Sequence, residues 1–192
     1  MVLMKMRIMK PKFVLFDANI IIEAYELGIW ETLVERVEVY VPSIVVHDEA
    51  RFVKYEIGRI PEEINLSALI DSGRIFEISA EIDEIAKLDN IFDALFLQSI
   101  HDGEKEALAI LYVNKKENLL FCTADAMPIK GMAMLQLSER AISFQNLLKS
   151  IGIQKQLKLH FTGSWFKARL REGQEKFIRG EGLNEKYRKG IT

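Results

Sequence analysis

The sequence predicts an α/β protein in which a central, mostly parallel sheet lies between two layers of helices, as a three-layer α/β/α sandwich. Two short apolar runs, at residues 13–16 and 119–122, are continuous rather than alternating, which is typical of strands buried on both faces. Segments with helical periodicity separate such runs, and this alternation favours parallel strands joined by helical crossovers. With 192 residues, the chain is long enough for one domain of about 150 residues and an appendage.

Helices are predicted where apolar residues recur every three or four positions, and strands where short apolar runs end at turn residues. The predicted helices cover residues 19–27, 30–37, 44–55, 79–88, 91–99, 104–114, 127–135 and 144–148. The predicted strands cover residues 13–16, 38–41, 74–78 and 119–123. Ser43 and Asn90 are candidate N-caps of the third and fifth helices, although the β-branched run after Ser43 also has strand character. Residues 58–73 carry no clear periodicity, except that Pro61 could begin a helical turn.

The charge distribution divides the chain near the loop at residues 152–157. Residues 1–153 carry a net charge of −8 and residues 154–192 carry +6, within a total of −2. Aromatic and aliphatic residues from Trp165 to Ile178 recur at helical spacing. We therefore expect an α/β domain over residues 1–153 and a basic, helical extension over residues 154–192. A basic segment on an acidic body suits a polyanionic partner, although a solvated helix or a dimer contact would produce the same pattern.

The cysteine content and the hydropathy pattern restrict the classes of protein that this chain can belong to. The single cysteine, Cys122, excludes an internal disulfide and a cysteine-based zinc site, and its apolar surroundings predict a buried structural thiol. Residues 1–10 alternate Met with Lys and Arg and lack the apolar core of a signal peptide. No stretch has the length of uncharged apolar residues that a membrane span requires. We therefore expect a cytoplasmic protein with no membrane partner.

Four acidic side chains are predicted to meet at one edge of the sheet. Asp17 and Asp125 each follow an apolar strand, and the carboxyl ends of parallel strands lie at the same edge. Glu49 and Glu106 each fall in the first turns of a predicted helix, and helix N-termini lie along that edge as well. Such carboxylates repel one another unless a hard cation neutralises them, and carboxylate oxygens are the ligands that Mg²⁺ and Mn²⁺ prefer. The pattern therefore predicts a divalent-metal site and metal-assisted hydrolysis of phosphodiesters.

Each of these acids also has an ordinary structural interpretation. Asp17 and Asp125 stand where helix N-caps stand, and Glu104 and Glu106 are favourable charges in the first turn of a helix. Glu49 could face solvent. The histidines show neither His-x-x-x-His nor His-Glu-x-x-His spacing, which argues against a zinc site. A shared location in the fold would distinguish a metal site from unrelated caps and surface charges.

The chain resembles the PIN-domain nucleases over roughly residues 12–151. The resemblance rests on motifs that stand in the order of that family, namely FDAN from residue 16, VPSIVVHDE from residue 41, GEKEALA from residue 103, TAD from residue 123 and AISFQNLL from residue 141. It implies a PIN-like α/β/α fold and a metal-dependent ribonuclease. Many members of this family are the toxins of toxin–antitoxin pairs.

The resemblance also implies roles for particular residues. It implies that the catalytic, metal-binding acids are Asp17, Glu49, Glu106 and Asp125, with Mg²⁺ or Mn²⁺ as the cofactor. It makes Asn19 and Thr123 polar residues beside the metal or the substrate phosphate. Glu106 is preferred as the third acid because the apolar face of its helix turns it inward, and Glu104 is kept as the alternative metal ligand.

The basic extension supplies candidate contacts to a nucleic-acid backbone. These residues are Lys167, Arg169, Arg171 and Lys176. RNA is the expected substrate. The resemblance also implies an antitoxin protein as a partner and allows a homodimer.

The sequence allows two alternatives to a nuclease. A catalytically inactive PIN-like protein that binds nucleic acid or serves as a scaffold is the main alternative. Residues 14–17 are also similar to the nucleophile strand of haloacid-dehalogenase-like phosphatases, but Asn19 stands where that chemistry needs a second aspartate. Asp93 begins a motif like the usual aspartate motif of PIN domains. It lies too far before Asp125, so surface charge or a position beside a helix cap is expected instead.

Overall fold

The computed structural model describes residues 13–50, 52–53 and 62–191 of the chain. The interpretation of residues 1–10, the end of the helix predicted to reach Tyr55, and the possible helical turn at Pro61 lie outside these residues. The described residues form a five-stranded, all-parallel sheet with helices on both faces. The predicted three-layer α/β/α architecture is therefore confirmed.

The strands place β1 at the centre of the sheet. In chain order they are β1 (Phe13–Phe16), β2 (Val39–Pro42), β3 (Phe52–Val53), β4 (Glu62–Glu63), β5 (Phe76–Ile78), β6 (Leu119–Cys122) and β7 (Ala141–Ile142). The sheet has the order β5-β2-β1-β6-β7 with every neighbouring pair parallel, while β3 and β4 form a separate antiparallel pair. From β1 the chain moves outward through β2 to β5 and then returns to β6 on the other side of β1. This return makes the ends of β1 and β6 the topological switch point, where open α/β sheets bind ligands.

Ten α-helices surround the sheet in the described part of the chain. They are α1 (Ala18–Glu26), α2 (Trp30–Arg36), α3 (Leu66–Asp71), α4 (Ile82–Asp89), α5 (Ala94–Gln98), α6 (Asp102–Tyr112), α7 (Ala126–Met134), α8 (Phe144–Ser150), α9 (Gly163–Arg179) and α10 (Glu185–Ile191). A π-helical turn (Val45–Glu49) follows β2. Helices α1, α2 and α8 cover one face of the sheet, and α4 to α7 cover the other.

Side chains that alternate along the strands fill two hydrophobic cores. Val14 and Phe16 point into the core with α1, α2 and α8, whereas Leu15 points into the core with α6 and α7. Both faces of β1 are therefore covered, which explains why its sequence is apolar without alternation. Cys122, at the end of β6, is fully buried in the first core, as predicted for a structural thiol.

The helix predicted over residues 44–55 begins as expected but is cut short. Residues 43–44 are α-helical, the π-helical turn follows directly, and the chain then enters β3. A hydrogen bond of 3.0 Å from the Ala50 amide to the Val45 carbonyl closes the turn. The β-branched residues at the start of the turn pack well beside a strand and lower the propensity for a longer helix. The wide turn carries Glu49 to the edge of the sheet.

Other local predictions also needed correction. Asn90 ends α4, and the cap of α5 is Asp93, whose side chain accepts a hydrogen bond of 2.8 Å from the Phe96 amide. Asp93 is thus the helix cap itself rather than a surface charge or a neighbour of the cap. The pair Glu62–Glu63, in the segment that shows no clear periodicity, is a strand. Strand β7 and helix α10 were not predicted, because both are too short to show a period.

The C-terminal segment packs on the α/β body through α9. Gly173 lies so close to α7 that a Cβ atom there would stand 2.6 Å from the Lys130 carbonyl oxygen. Leu183, beyond α9, is buried in the second core. The domain boundary predicted at residue 153 falls between α8 and α9 and stays a prediction. No helix among the described residues combines the length and the apolar character needed to cross a membrane.

Candidate metal centre

Asp17 stands directly after β1 and is almost completely buried, with 3% of its surface exposed. Its Oδ1 accepts a hydrogen bond of 3.0 Å from the Ile20 amide, so Asp17 is the N-cap of α1. Its Oδ2 accepts a hydrogen bond from the Thr123 hydroxyl. The parallel register explains this contact, because Phe16 pairs with Cys122 and the next residue of each strand is therefore a neighbour. The cap interpretation and the site interpretation both apply to Asp17.

Asp125 is held beside Asp17 by two neighbours. Its amide donates to the Thr123 hydroxyl oxygen at 3.2 Å, and its Oδ2 accepts from the Asn19 amide group. Asp125 precedes α7, yet its side chain makes no capping hydrogen bond to that helix. The carboxylate is therefore available to the space between the ends of β1 and β6.

Glu104 brings the third carboxylate from the first turn of α6. Its Oε2 accepts a hydrogen bond of 3.0 Å from the His101 amide, as the third residue of a capping box. Its Oε1 is buried and has no hydrogen-bond partner in the described part of the chain. One oxygen atom each from Asp17, Glu104 and Asp125 lies within 4.8 Å of the other two, and we call these residues the carboxylate cluster.

Burial and mutual repulsion disfavour the charged forms in the carboxylate cluster. Burial, followed by the charges of Asp125 and Glu49, raises the pKa of Asp17 from 3.8 to about 7. Burial also raises the pKa of Glu104 from 4.5 to about 9, and the nearby charges of Asp125 and Asp17 act in the same direction. A cation among these oxygens would reverse both effects. The unpartnered Glu104 Oε1 and the all-oxygen donor set fit a bound metal ion.

Glu106, the preferred third acid, does not join the carboxylate cluster. It is buried, with 3% of its surface exposed, and both of its oxygens are occupied elsewhere. Oε2 accepts from the Ile44 amide at 2.9 Å, and Oε1 accepts from the Ala80 amide at 3.2 Å. Residues two apart on a helix point about 200° away from each other, so Glu104 and Glu106 cannot share one site. The structure thus places Glu104, the alternative, and not Glu106, beside Asp17 and Asp125.

Glu49 lies beside the carboxylate cluster but outside it. Its Oε1 accepts a hydrogen bond of 3.0 Å from the Gly103 amide at the start of α6. A Cβ atom on Gly103 would stand 2.6 Å from Glu49 Oε2, so only glycine allows this approach. Glu49 thus adds negative charge at the edge of the cluster, and its carboxylate is tied to α6.

The carboxylate cluster opens into a cleft of about 670 Å³. The cleft is lined by Asp17, Ala18, Asn19, Ile22, Ile44, Asp48, Glu49, His101, Asp102, Glu104 and Asp125. Six of these side chains are acidic, and none is Lys or Arg among the residues that the structure describes. An anionic ligand could therefore approach the cluster only together with cations.

The four basic candidates on α9 differ in their surroundings. Arg169 pairs with Glu172 at 2.5 Å and lies over the ring of Trp165. Lys176 pairs with Glu181 at 3.5 Å. Lys167 and Arg171 are exposed, one helical turn apart, and have no ion-pair partner among the described residues. These two residues are therefore the ones that can meet a polyanion without first breaking an ion pair.

The contributions of His101 and Gly103 were not recognised in the sequence. His101 caps α6 and holds Glu104 through its amide, in a pattern that replaces the usual Ser or Thr of a capping box. Reading residues 101–104 as a capping box would have located the start of α6 and the orientation of Glu104.

No protein-family model, curated protein or solved structure matches this chain. The similarity to PIN domains therefore rests on the sequence motifs.

Proposed function

We propose that this chain is a Mg²⁺- or Mn²⁺-dependent ribonuclease of the PIN-domain type. The observation that carries the proposal is the carboxylate cluster, which is buried at the switch point of a parallel sheet and faces an open cleft. Three carboxylates suit a hard divalent ion, whose remaining coordination positions would take water and a substrate phosphate. The order of the sequence motifs supports the same function.

The residues around the cluster have distinct roles in this proposal. Asp17, Glu104 and Asp125 would hold the ion, which when bound would activate water and offset charge on the phosphate. Thr123 fixes the orientation of Asp17 by donating to its carboxylate, and Asn19 does the same for Asp125. Positioning of this kind matters because small displacements of reacting groups greatly slow a reaction.

Glu49 is proposed to act on the attacking water. It lines the cleft, and its Oε1 is held by the Gly103 amide, so the carboxylate has a fixed position beside the cluster. A carboxylate in this place can accept a hydrogen bond from water and orient it toward a phosphate. This role keeps Glu49 among the catalytic acids while assigning the metal to the buried cluster.

The charge of the cleft supports a strict dependence on divalent cations. RNA phosphates would be repelled by the six acidic side chains unless cations stood between them. Lys167 and Arg171 supply positive charge outside the cleft and are proposed to contact the RNA backbone. Such contacts release counterions, so RNA affinity should fall as the salt concentration rises. A cytoplasmic location, a protein antitoxin as inhibitor and a homodimer complete the proposal.

The test combines metal binding with RNA cleavage. Metal-stripped wild type, Asp17→Asn and Glu104→Gln are titrated with Mn²⁺ by calorimetry. The same proteins are then incubated with a fluorescently labelled single-stranded RNA of random sequence. We expect Mn²⁺ binding and cleavage by the wild type, and the loss of both in each variant. Asp93→Asn is the matched control, because Asp93 also caps a helix but lies outside the cleft.

Each result has a defined meaning for the proposal. Binding of Mn²⁺ without cleavage, together with retention of RNA, would replace the nuclease with a nucleic-acid-binding protein of the same fold. Absence of Mn²⁺ binding by the wild type would refute the metal centre. Cleavage at the wild-type rate by Asp17→Asn would refute the assignment of the site. For the backbone contacts, Lys167→Ala and Arg171→Ala should weaken RNA binding and leave Mn²⁺ affinity unchanged.

A further inference from the structure

Glu106 connects three segments that border the cleft. It belongs to α6, which carries Glu104 two residues earlier. Its carboxylate accepts one hydrogen bond from the Ile44 amide, which precedes the π-helical turn, and one from the Ala80 amide, which follows β5. The two amides lie beyond the ends of neighbouring parallel strands, β2 and β5. A single buried carboxylate thus ties the ends of two strands to α6.

A second hydrogen bond runs between the same two segments in the opposite direction. Glu49, at the end of the π-helical turn, accepts from the Gly103 amide of α6. The Glu49 carboxylate of the turn therefore accepts a hydrogen bond from the backbone of α6. In return, the Glu106 carboxylate of α6 accepts one from the backbone just before the turn. Together the two bonds fix the distance between Glu49 on one wall of the cleft and Glu104 on the other.

This reciprocal pair of hydrogen bonds can hold the walls of an acidic cleft together. The carboxylates of Asp17, Asp125 and Glu49 repel one another, and repulsion would drive the walls apart in the absence of a cation. Hydrogen bonds from backbone amides to carboxylates are charge-assisted and strong, so they can resist such separation. The cleft would then be shaped for a cation before the cation arrives.

We infer that Glu106 is a positioning residue that holds the π-helical turn and α6 at the spacing required for metal binding and catalysis. The inference rests on the proposed function, because it assigns Glu106 to the same site. It also gives Glu106 a role other than the ligand role that its sequence position suggested. Groups that orient metal ligands typically change metal affinity or activity by about 10- to 100-fold when they are replaced.

The test compares Glu106→Gln with Glu23→Gln. Glutamine keeps the volume of the side chain, but its amide group cannot accept a hydrogen bond, so one of the Ile44 and Ala80 amides loses its partner. Glu23 is a similarly buried glutamate, held by Lys158 at 2.8 Å, and it does not line the cleft. Mn²⁺ affinity is measured by calorimetry, and kcat and KM are measured with the labelled RNA. Circular dichroism checks that each variant is folded.

We expect Glu106→Gln to bind Mn²⁺ about 10-fold or more weakly, and to lower kcat more than it changes KM. Glu23→Gln should match the wild type in both. Amide hydrogen exchange should become faster at Ile44 or Ala80 in Glu106→Gln, which would show directly that the tie has been released. A purely structural role would lower thermal stability without changing Mn²⁺ affinity well below the melting temperature.

The two hypotheses fail in different ways. If the wild type binds Mn²⁺ and cleaves RNA, and Glu106→Gln does so equally well, the positioning role is wrong and the nuclease proposal stands. If the wild type neither binds Mn²⁺ nor cleaves RNA, the proposed function fails and the inference fails with it. Should Glu106→Gln not fold, Glu106→Asp shortens the side chain by one methylene and weakens the same two hydrogen bonds, and unchanged Mn²⁺ affinity in that variant would overturn the inference.

Discussion

Replacing Asp17 with Asn should stabilise the metal-free protein at alkaline pH. The folded state holds the proton of Asp17 more tightly than the unfolded state, because burial raises its pKa from 3.8 to about 7. The contribution of Asp17 to stability is therefore fully present below about pH 3.8 and is lost as the pH rises through about 7. A shift of this size corresponds to a loss of up to ~4 kcal/mol at about pH 8. Asparagine cannot ionise, so Asp17→Asn should avoid that loss.

The substitution is expected to preserve the local hydrogen bonds. The Asn side-chain oxygen can accept from the Ile20 amide as Asp17 does, and the Thr123 hydroxyl can rotate to accept from the new amide group. Unfolding by urea is followed by circular dichroism in the presence of a chelator, at about pH 5 and about pH 8. The variant should gain stability over the wild type as the pH rises. Adding Mn²⁺ should reverse the order, because only the wild type would gain stability from binding.

The control separates this effect from helix capping. Asp93 caps α5 through a similar bond to a backbone amide but lies outside the carboxylate cluster. Asp93→Asn should change the free energy of unfolding by less than ~1 kcal/mol at both pH values. The reasoning from burial and repulsion would be refuted if metal-free Asp17→Asn were no more stable than the wild type at about pH 8.

Three further predictions concern the metal and the close contacts of two glycines. Mn²⁺ affinity should rise with pH, because Asp17 and Glu104 must release protons before they bind the ion. Calorimetry in two buffers of different ionisation enthalpy measures that proton release. An affinity that does not change with pH would contradict the prediction. Gly103→Ala should displace Glu49, lower stability by about 1–3 kcal/mol and weaken Mn²⁺ binding. Gly173→Ala should lower stability by a similar amount, because its Cβ would meet the backbone of α7. The same variant should leave Mn²⁺ affinity unchanged. Equal effects of the two glycine variants on Mn²⁺ affinity would argue against the assigned site.

The central strands and the location of the site could be predicted from the sequence. The apolar run of Phe13–Phe16 could only be buried on both faces, and this marks a central parallel strand. The acids that follow β1 and β6 then had to share one edge of the sheet. The contact of Asp17 with Thr123 follows directly from the parallel register, and Asp125 reaches the same hydroxyl through a local hydrogen bond two residues along the chain. Local patterns were sufficient here because strand geometry itself brings the residues together.

The choice between Glu104 and Glu106 could not be made in the same way. Both side chains are buried, so the apolar face of α6 cannot distinguish them. What separates them is the position of the Ile44 and Ala80 amides, and those belong to loops that are remote in sequence. The π-helical turn was missed for a related reason. Its wide backbone is determined by tertiary contacts, including the approach of Glu49 to α6, and no residue pattern encodes it.

The switch point at β1 and β6 also determines when the site can form during synthesis. Asp17 and Thr123 are separated by 106 positions in the chain, and the hydrogen bond between them requires β6 to be inserted beside β1. A ribosome that adds about 5–20 residues per second needs roughly 5 to 20 s to cover that interval. Throughout that time the nascent chain carries Asp17 without Thr123 or Asp125. If the chain cleaves RNA as proposed, it would thereby stay inactive while its own messenger is being translated, until most of the domain has been made.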